Sequence, residues 1–234
     1  MNKVNIDRIA FIGRTYSEYM NLFDLDETIL RHGPVLDCPA GAASFTAEAS
    51  RSGIDVTACD ILYVSALENL IEKGRNDIEH IYEKLKEVPH MFTWNYYKDI
   101  DNLISQREKA LEMFASDFKE GFDEGRYRYG KLPELPFPDK HFSLVLSSHF
   151  LFLYGDWFKF GFHIECLKEL VRVCYGEIRI YPLTGLDAKP YPYLDEVLST
   201  LNENGYKADI VRTPFEFQKG SNRMMIIKCS NPPL

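Results

Sequence analysis

The sequence contains no apolar run approaching the roughly 20 residues that a bilayer-spanning helix needs, so no membrane span is expected. Its first residues, MNKVNIDRIAFIGRTYSEY, lack the apolar stretch and small-residue cleavage site of a secretory signal, and a cytoplasmic location is the expectation. Paired-cysteine chemistry is missing too. Cys38, Cys59, Cys166, Cys174 and Cys229 are odd in number and show neither CxxC nor Cys/His spacing. No metal site is expected, and buried reduced thiols are the simplest reading. Cys38 and Cys59 fall near the ends of adjacent strands, a placement that allows them to be neighbours in space. Basic charge is scarce: 27 Lys+Arg against 35 Asp+Glu leave a net charge of −8. Proteins that track phosphate backbones gain affinity by releasing counterions from a basic face. The one compact basic cluster here is Arg126, Arg128 and Lys131, so a nucleic-acid substrate is unexpected. Oligomeric state is left open by the sequence.

What the chain does hold is an alternation of strands and helices. Apolar residues make up 45% of its 234 positions, enough for a well-filled core in one domain spanning 1–234. Tyr16–Leu30 has helical spacing ended by His32-Gly33-Pro34. Val35–Cys38 reads as a buried parallel strand, 44–52 as a helix closed by Gly53, and Ile54–Asp60 as the second strand. The stretch at about 62–125 exceeds what a crossover helix needs. It reads as a helical insertion: a helix over Leu62–Val88 interrupted near Gly74, an aromatic loop over Pro89–Tyr97, and an amphipathic helix over Asp99–Phe118. Such an insertion either shapes a substrate pocket or adds packing at the sheet edge. Strands follow at Arg126–Tyr129, Ser143–Ser147 and Glu177–Tyr181, with helices over Phe160–Cys174 (broken by Gly176) and Tyr193–Asn204. Lys207–Thr213 and Arg223–Cys229 close the chain as two strands joined by FEFQKGSN. The fold class is α/β, a mostly parallel seven-stranded sheet with an antiparallel C-terminal strand.

The most informative stretch is Val35–Asp60, VLDCPAGAASFTAEASRSGIDVTACD, in which glycine is scarce. Ligands of an open α/β sheet bind beyond the carboxyl ends of its strands, where Asp37, the loop Pro39–Ser44, Asp60 and Ser147–His149 all fall. Asp60 follows Asp37 at about the distance at which dinucleotide-binding folds place a ribose-binding carboxylate. A pyrophosphate needs close backbone approach at the loop, which three glycines normally allow. Here Ala40-Gly41-Ala42-Ala43-Ser44-Phe45 would present methyl groups and a benzyl side chain. S-adenosylmethionine carries no phosphate, so the alanines suit it better.

On these residues the chain resembles class I S-adenosylmethionine-dependent methyltransferases, of the small-molecule type similar to ubiquinone/menaquinone-biosynthesis methyltransferases. The first motif stands as Asp37-Cys38-Pro39-Ala40-Gly41-Ala42-Ala43. LPFPDKHFSLVL (Leu135–Leu146) resembles the block leading into strand four, and LKELVRVCYGE (Leu167–Glu177) the helix and turn before strand five. The resemblance implies a Rossmann-like methyltransferase sandwich, S-adenosylmethionine as cofactor and a small-molecule methyl acceptor. It implies that Asp60 holds the ribose, that Asp37, Ala40, Gly41 and Ala42 hold the methionine end, and that Ile61 and Leu132 flank the adenine. Arg14 would pair with the methionine carboxylate, Tyr19 would cover the sulfonium, and Ser148 would lie near the transferred methyl. The sequence departs from the pattern at Pro39 and Ala43, which replace glycines, at Lys131, where an acid is usual, and at Ser143, where aspartate is common. Asn231-Pro232-Pro233-Leu234 resembles the NPPY-type motif of amino-group methyltransferases, but beyond the final strand rather than after the fourth.

His149, at the end of strand four, is the candidate catalytic base, able to take a proton from an oxygen or nitrogen nucleophile. A hydrogen-bonding structural histidine is the alternative. Phe92, Trp94, Tyr96, Tyr97, Tyr154 and Trp157 are candidates for an apolar acceptor pocket. Two other functions stay open at this level: a non-catalytic binding or regulatory protein, and a nicotinamide-dependent oxidoreductase.

Overall fold

The computed structural model describes residues 3–229, so the Asn231–Leu234 motif lies outside the described residues. Seven strands form one sheet: β1 (Val35–Asp37), β2 (Val56–Asp60), β3 (Tyr127–Tyr129), β4 (Phe142–Ser148), β5 (Cys174–Tyr181), β6 (Lys207–Arg212) and β7 (Arg223–Lys228). Their order is β3-β2-β1-β4-β5-β7-β6. β3 through β5 pair in parallel, and β7 runs antiparallel to both β5 and β6. This is the expected mostly parallel, Rossmann-like sheet with its antiparallel strand at the chain's end. Strand order reverses between β1 and β4, which opens a crevice beyond their carboxyl ends.

Alternate strand residues serve two apolar layers, as the pleat requires. Val35, Val56, Leu144 and Leu146 face one layer, built with α1 (Tyr16–Leu22), α3 (Phe45–Arg51) and the inner faces of α4 (Leu67–Glu87) and α5 (Ile100–Asp123). Leu36, Val145, Ile178 and Ile180 face the other, with α6 (Phe160–Val173) and α7 (Leu194–Glu203). Burial on both faces explains why β4 reads as a continuous apolar run.

Three expected boundaries differ. Tyr16–Leu30 is not one helix: α1 ends at Leu22, Asp24 takes φ +48, and Asp26 caps a separate α2 (Glu27–Leu30) by accepting from the Ile29 amide. Gly74 does not interrupt α4. A Cβ there would lie 2.7 Å from Leu111 Cδ1, so this glycine lets α4 and α5 approach closely. Gly176 does not break α6, which ends at Val173; it lies inside β5, where the β4–β5 register shifts and a Cβ would meet the Ser143 carbonyl oxygen at 2.1 Å. The segment between β2 and β3 holds the two long helices α4 and α5, packed on each other.

Candidate functional site

A cavity of about 500 Å³ lies at the β1–β4 crevice. Its sheet-side wall comes from strand ends: Cys38, Pro39, Ala40 and Gly41 after β1, Asp60, Ile61 and Leu62 after β2, Ser148, His149 and Phe150 after β4, and Tyr181 and Pro182 after β5. Of the residues expected at the site, Arg14, Tyr19, Ala40, Gly41, Asp60, Ile61, Leu132, Ser148 and His149 line this one cavity. Asp37 and Ala42 do not. Asp37 is fully buried behind the wall, where both its oxygens accept from the Tyr19 hydroxyl at 3.0 and 2.9 Å. Ala42 turns its carbonyl toward Gly13, where any Cβ would sit 1.8 Å from the Ala42 oxygen.

Asp60 organises the glycine-poor loop. One of its oxygens accepts from the Gly41 amide and the other from the Leu62 amide, both at 2.9 Å. Burial lifts its pKa above the ordinary carboxylate value, against the opposing pull of these two amides and of Lys73. Gly41 adopts φ +58, the left-handed region that favours glycine, and its carbonyl accepts from Tyr63 at 2.7 Å. So the single glycine falls at the loop's one left-handed position. The second glycine the loop depends on is Gly13, in a different segment. Ser143, where the family pattern favours aspartate, donates its hydroxyl to the Pro34 carbonyl at 3.0 Å, a contact a carboxylate would repel.

The N-terminal segment crosses the cavity as a strap. Asp77 on α4 holds it by accepting from Arg8 Nε and the Phe11 amide, each at 2.7 Å. Tyr154 accepts from the Ala10 amide, and the Val4 amide reaches the Leu186 carbonyl. The strap's continuation into α1 is fixed by a buried cluster. Arg107 on α5 pairs with both oxygens of Glu18 at 2.9 and 2.7 Å and donates to Tyr97 at 2.7 Å, while Tyr97 donates to Glu18. Burial alone would raise the Glu18 carboxyl; the Arg107 charge and hydrogen bonds outweigh it and hold the group down at about 2. Arg14 lines the cavity beside this cluster, but its guanidinium makes no hydrogen bond or ion pair among the described residues, and burial with the nearby Arg107 charge lowers its pKa.

His149 stands at φ +52, in the left-handed region that histidine adopts more readily than most non-glycine residues. Its Nδ1 lies 2.8 Å from the Ser148 hydroxyl. Burial, then Arg14 and Arg107, push its pKa well below the ordinary imidazole value, so the ring is neutral.

The remaining wall is apolar. Of the aromatic residues expected to form a pocket, Phe92, Tyr97 and Tyr154 line the cavity. Trp94, Tyr96 and Trp157 do not: Trp94 packs on Phe217, Tyr96 on Tyr97 and Phe215, and Trp157 on Tyr154. Sequence reasoning missed Phe215 and Phe217, which lie in the FEFQKGSN connection, Phe150 and Phe158, which precede α6, and Phe162 in the first turn of α6 as cavity-lining residues. It also missed Arg107. The signal was there: Arg107 lies midway between Leu103 and Leu111 on the apolar stripe of α5, where a charge demands a buried partner.

All five cysteines are free and buried, and the neighbouring Cys59 thiol, together with burial, pushes the Cys38 thiol well above its ordinary range. Among the described residues no cluster of metal-ligating side chains occurs, and no helix is long and apolar enough to cross a membrane.

No protein-family model matches the chain. Over 229 residues it is 33% identical to the uncharacterized protein MJ0045 of Methanocaldococcus jannaschii, covering 97% of this chain and 100% of that one. Among solved structures it is similar to the PH0226 protein from Pyrococcus horikoshii OT3, with TM-score 0.48 and 12% identity over 91% of this chain and 90% of that one. It is similar also to a SAM dependent methyltransferase from Aquifex aeolicus, with TM-score 0.44 and 15% identity over 90% of each chain. Magnesium protoporphyrin IX methyltransferase from Synechocystis PCC 6803 gives TM-score 0.45 and 11% identity over 91% of this chain and 77% of that one. Likeness of this degree carries no inference about activity.

Proposed function

We propose that this chain, which belongs to the same family as MJ0045 of Methanocaldococcus jannaschii, binds S-adenosylmethionine in the cavity and transfers a methyl group to a small, largely apolar acceptor. The observation that carries this reading is the presence, in one cavity, of a carboxylate oriented by two amides, Asp60, and a guanidinium without an ion-pair partner among the described residues, Arg14. These residues fit the cofactor. Each Asp60 oxygen holds one N–H and keeps a lone pair for a ribose hydroxyl. The planar fork of Arg14 suits the methionine carboxylate. Ile61, 44% exposed despite being apolar, and Leu132 suit an adenine ring. Alanines around Gly41 suit a cofactor with no phosphate.

When bound, S-adenosylmethionine supplies a methyl carbon already activated by a positive sulfonium. The chain's own work is then to orient the acceptor, exclude water and receive a proton. Phe92, Phe150, Phe158, Phe215 and Phe217 supply an aromatic chamber for the acceptor, in keeping with the ubiquinone/menaquinone-type resemblance of the sequence. His149, neutral beside that chamber, is the group we assign to accept a proton from an acceptor oxygen or nitrogen. The α4–α5 pair serves as the substrate-shaping insertion of a single domain. Five buried reduced thiols suit the cytoplasm.

Incubation with a methyl-labelled donor and a panel of apolar phenols, thiols and amines tests the reading. At least one acceptor should be labelled, and His149→Phe should slow its labelling by about 10²–10⁴-fold. Donor binding with no labelling of any acceptor would instead favour a scaffold or regulator. Full turnover by His149→Phe would remove the histidine from the chemistry.

A further inference from the structure

The aromatic chamber carries a built polar feature where the end of β5 meets the closing connection. Tyr181 and Ser221 both line the cavity, and their hydroxyl oxygens lie 3.1 Å apart. That distance alone does not say which of them donates. The next contact decides it. Ser221 Oγ lies 2.6 Å from the Gln218 carbonyl oxygen, which can only accept, so the single Ser221 proton lies between those two oxygens. Ser221 therefore accepts from Tyr181. Burial pushes the Tyr181 pKa up, so the phenol holds the proton that it donates. The Tyr181 oxygen is left with its lone pairs and no donor to it among the described residues.

The carbonyl that sets this direction is held in place. It also accepts from the Ser221 amide at 3.0 Å. The Gln218 side chain accepts from the Thr184 hydroxyl and donates to the Gly185 carbonyl, both at 3.1 Å. The next amide, Lys219, donates to the Met91 carbonyl at 2.9 Å. Tyr181 is fixed beside His149: its carbonyl accepts from the His149 amide at 2.6 Å, and the two ring centroids lie 5.3 Å apart.

We propose that Ser221 locks Tyr181 as a hydrogen-bond acceptor, so that the chamber selects ligands presenting an O–H or N–H to Tyr181 over ligands presenting only a carbonyl, ether or carboxylate oxygen there. An accepting oxygen brought against the Tyr181 oxygen makes no hydrogen bond and forfeits the one it had with water. The aromatic wall around this point suits a ring, so the ligand class is a hydroxylated or amino-substituted aromatic compound. Tyr181 is the specificity-determining residue, and Ser221 is a positioning residue that acts through it. That the selected ligand is the methyl acceptor rests on the methyl-transfer reading; the selection itself does not.

Equilibrium binding of 2-naphthol and of 2-acetylnaphthalene to the full chain, followed by ligand fluorescence without any cofactor, tests the selection. The probes share one ring system; the first can donate a hydrogen bond and the second can only accept. Wild type should bind 2-naphthol about tenfold more tightly. Tyr181→Phe removes the accepting oxygen and should bring the ratio close to one. Ser221→Ala frees the Tyr181 proton to turn into the chamber, and should tighten 2-acetylnaphthalene by about tenfold. Circular dichroism shows which variants fold, and either one alone carries the test. Binding of neither probe by wild type, a wild-type preference for 2-acetylnaphthalene, or an unchanged ratio in every folded variant overturns the proposal. The expected preferences with no methyl label on any acceptor would leave the selection standing and remove the methyl-transfer reading.

Discussion

Glu18 and Arg107 show how a single residue can hold two parts of the chain together. Truncating Arg107 to alanine leaves a buried carboxylate unpaired and deprives Tyr97 and the Gly13 carbonyl of a partner. We expect a loss of about 3–5 kcal/mol in denaturant unfolding. The same pair makes the fold acid-sensitive. Glu18 sits at about 2 against an ordinary value of 4.5, a depressed carboxyl whose stabilisation is complete above about pH 4.5. It should be lost as pH falls from there toward 2, by about 3 kcal/mol in all, measured as unfolding free energy against pH. At this scale the sequence was partly legible. Asp60 and His149 could be named from strand-end position alone, because topology decides what lies at a crevice. Asp37 could not be separated from them. It sits at the strand end too, but Tyr19 comes in from an element 18 residues earlier and covers it. Nothing local records that contact.

Among the elements, the strap over 3–15 depends most on other parts of the chain. Asp77→Ala removes the acceptor for Arg8, for Lys73 and for the Phe11 amide. Charge-assisted hydrogen bonds contribute about 1.5–3 kcal/mol each. Local opening of the strap should therefore speed hydrogen exchange at the Phe11 amide by about tenfold or more, with little change at the β4 amides. Gly13→Ala is a harsher change, because its Cβ would overlap the Ala42 backbone oxygen, which cannot rotate away. Overpacking of this kind costs at least about 2 kcal/mol, read from the thermal midpoint. Element type was legible almost throughout, from period and from turn residues. Boundaries failed where a glycine served packing rather than punctuation. Gly74 and Gly176 look like breaks in one dimension, yet they are close approaches to Leu111 and to the Ser143 carbonyl, which only the folded chain brings near. The split between α1 and α2 was legible in principle, since Asp26 is a good cap three residues before the Ile29 amide.

For the whole molecule, the mostly parallel sheet, its switch point and its antiparallel final strand all followed from the alternation of strands and helices and the closing hairpin. The apolar chamber did not, because Phe215 and Phe217 reach it from a connection that reads as a turn. A consequence at this scale concerns the thiols. All five cysteines are buried, and burial carries Cys166 up to about 12. A thiol-reactive dye should therefore label the native protein only slowly and reach five sites after denaturation, counted by mass spectrometry. The central claim is that the β1–β4 crevice holds S-adenosylmethionine through Asp60 and Arg14. Calorimetric titration of the purified protein with S-adenosylmethionine tests it most directly. Wild type should bind at one site, Arg14→Ala and Asp60→Ala should each weaken binding by about tenfold or more while remaining folded, and reduced nicotinamide dinucleotide should give no heat. No binding by wild type, or equal binding by a folded Asp60→Ala, would contradict the account.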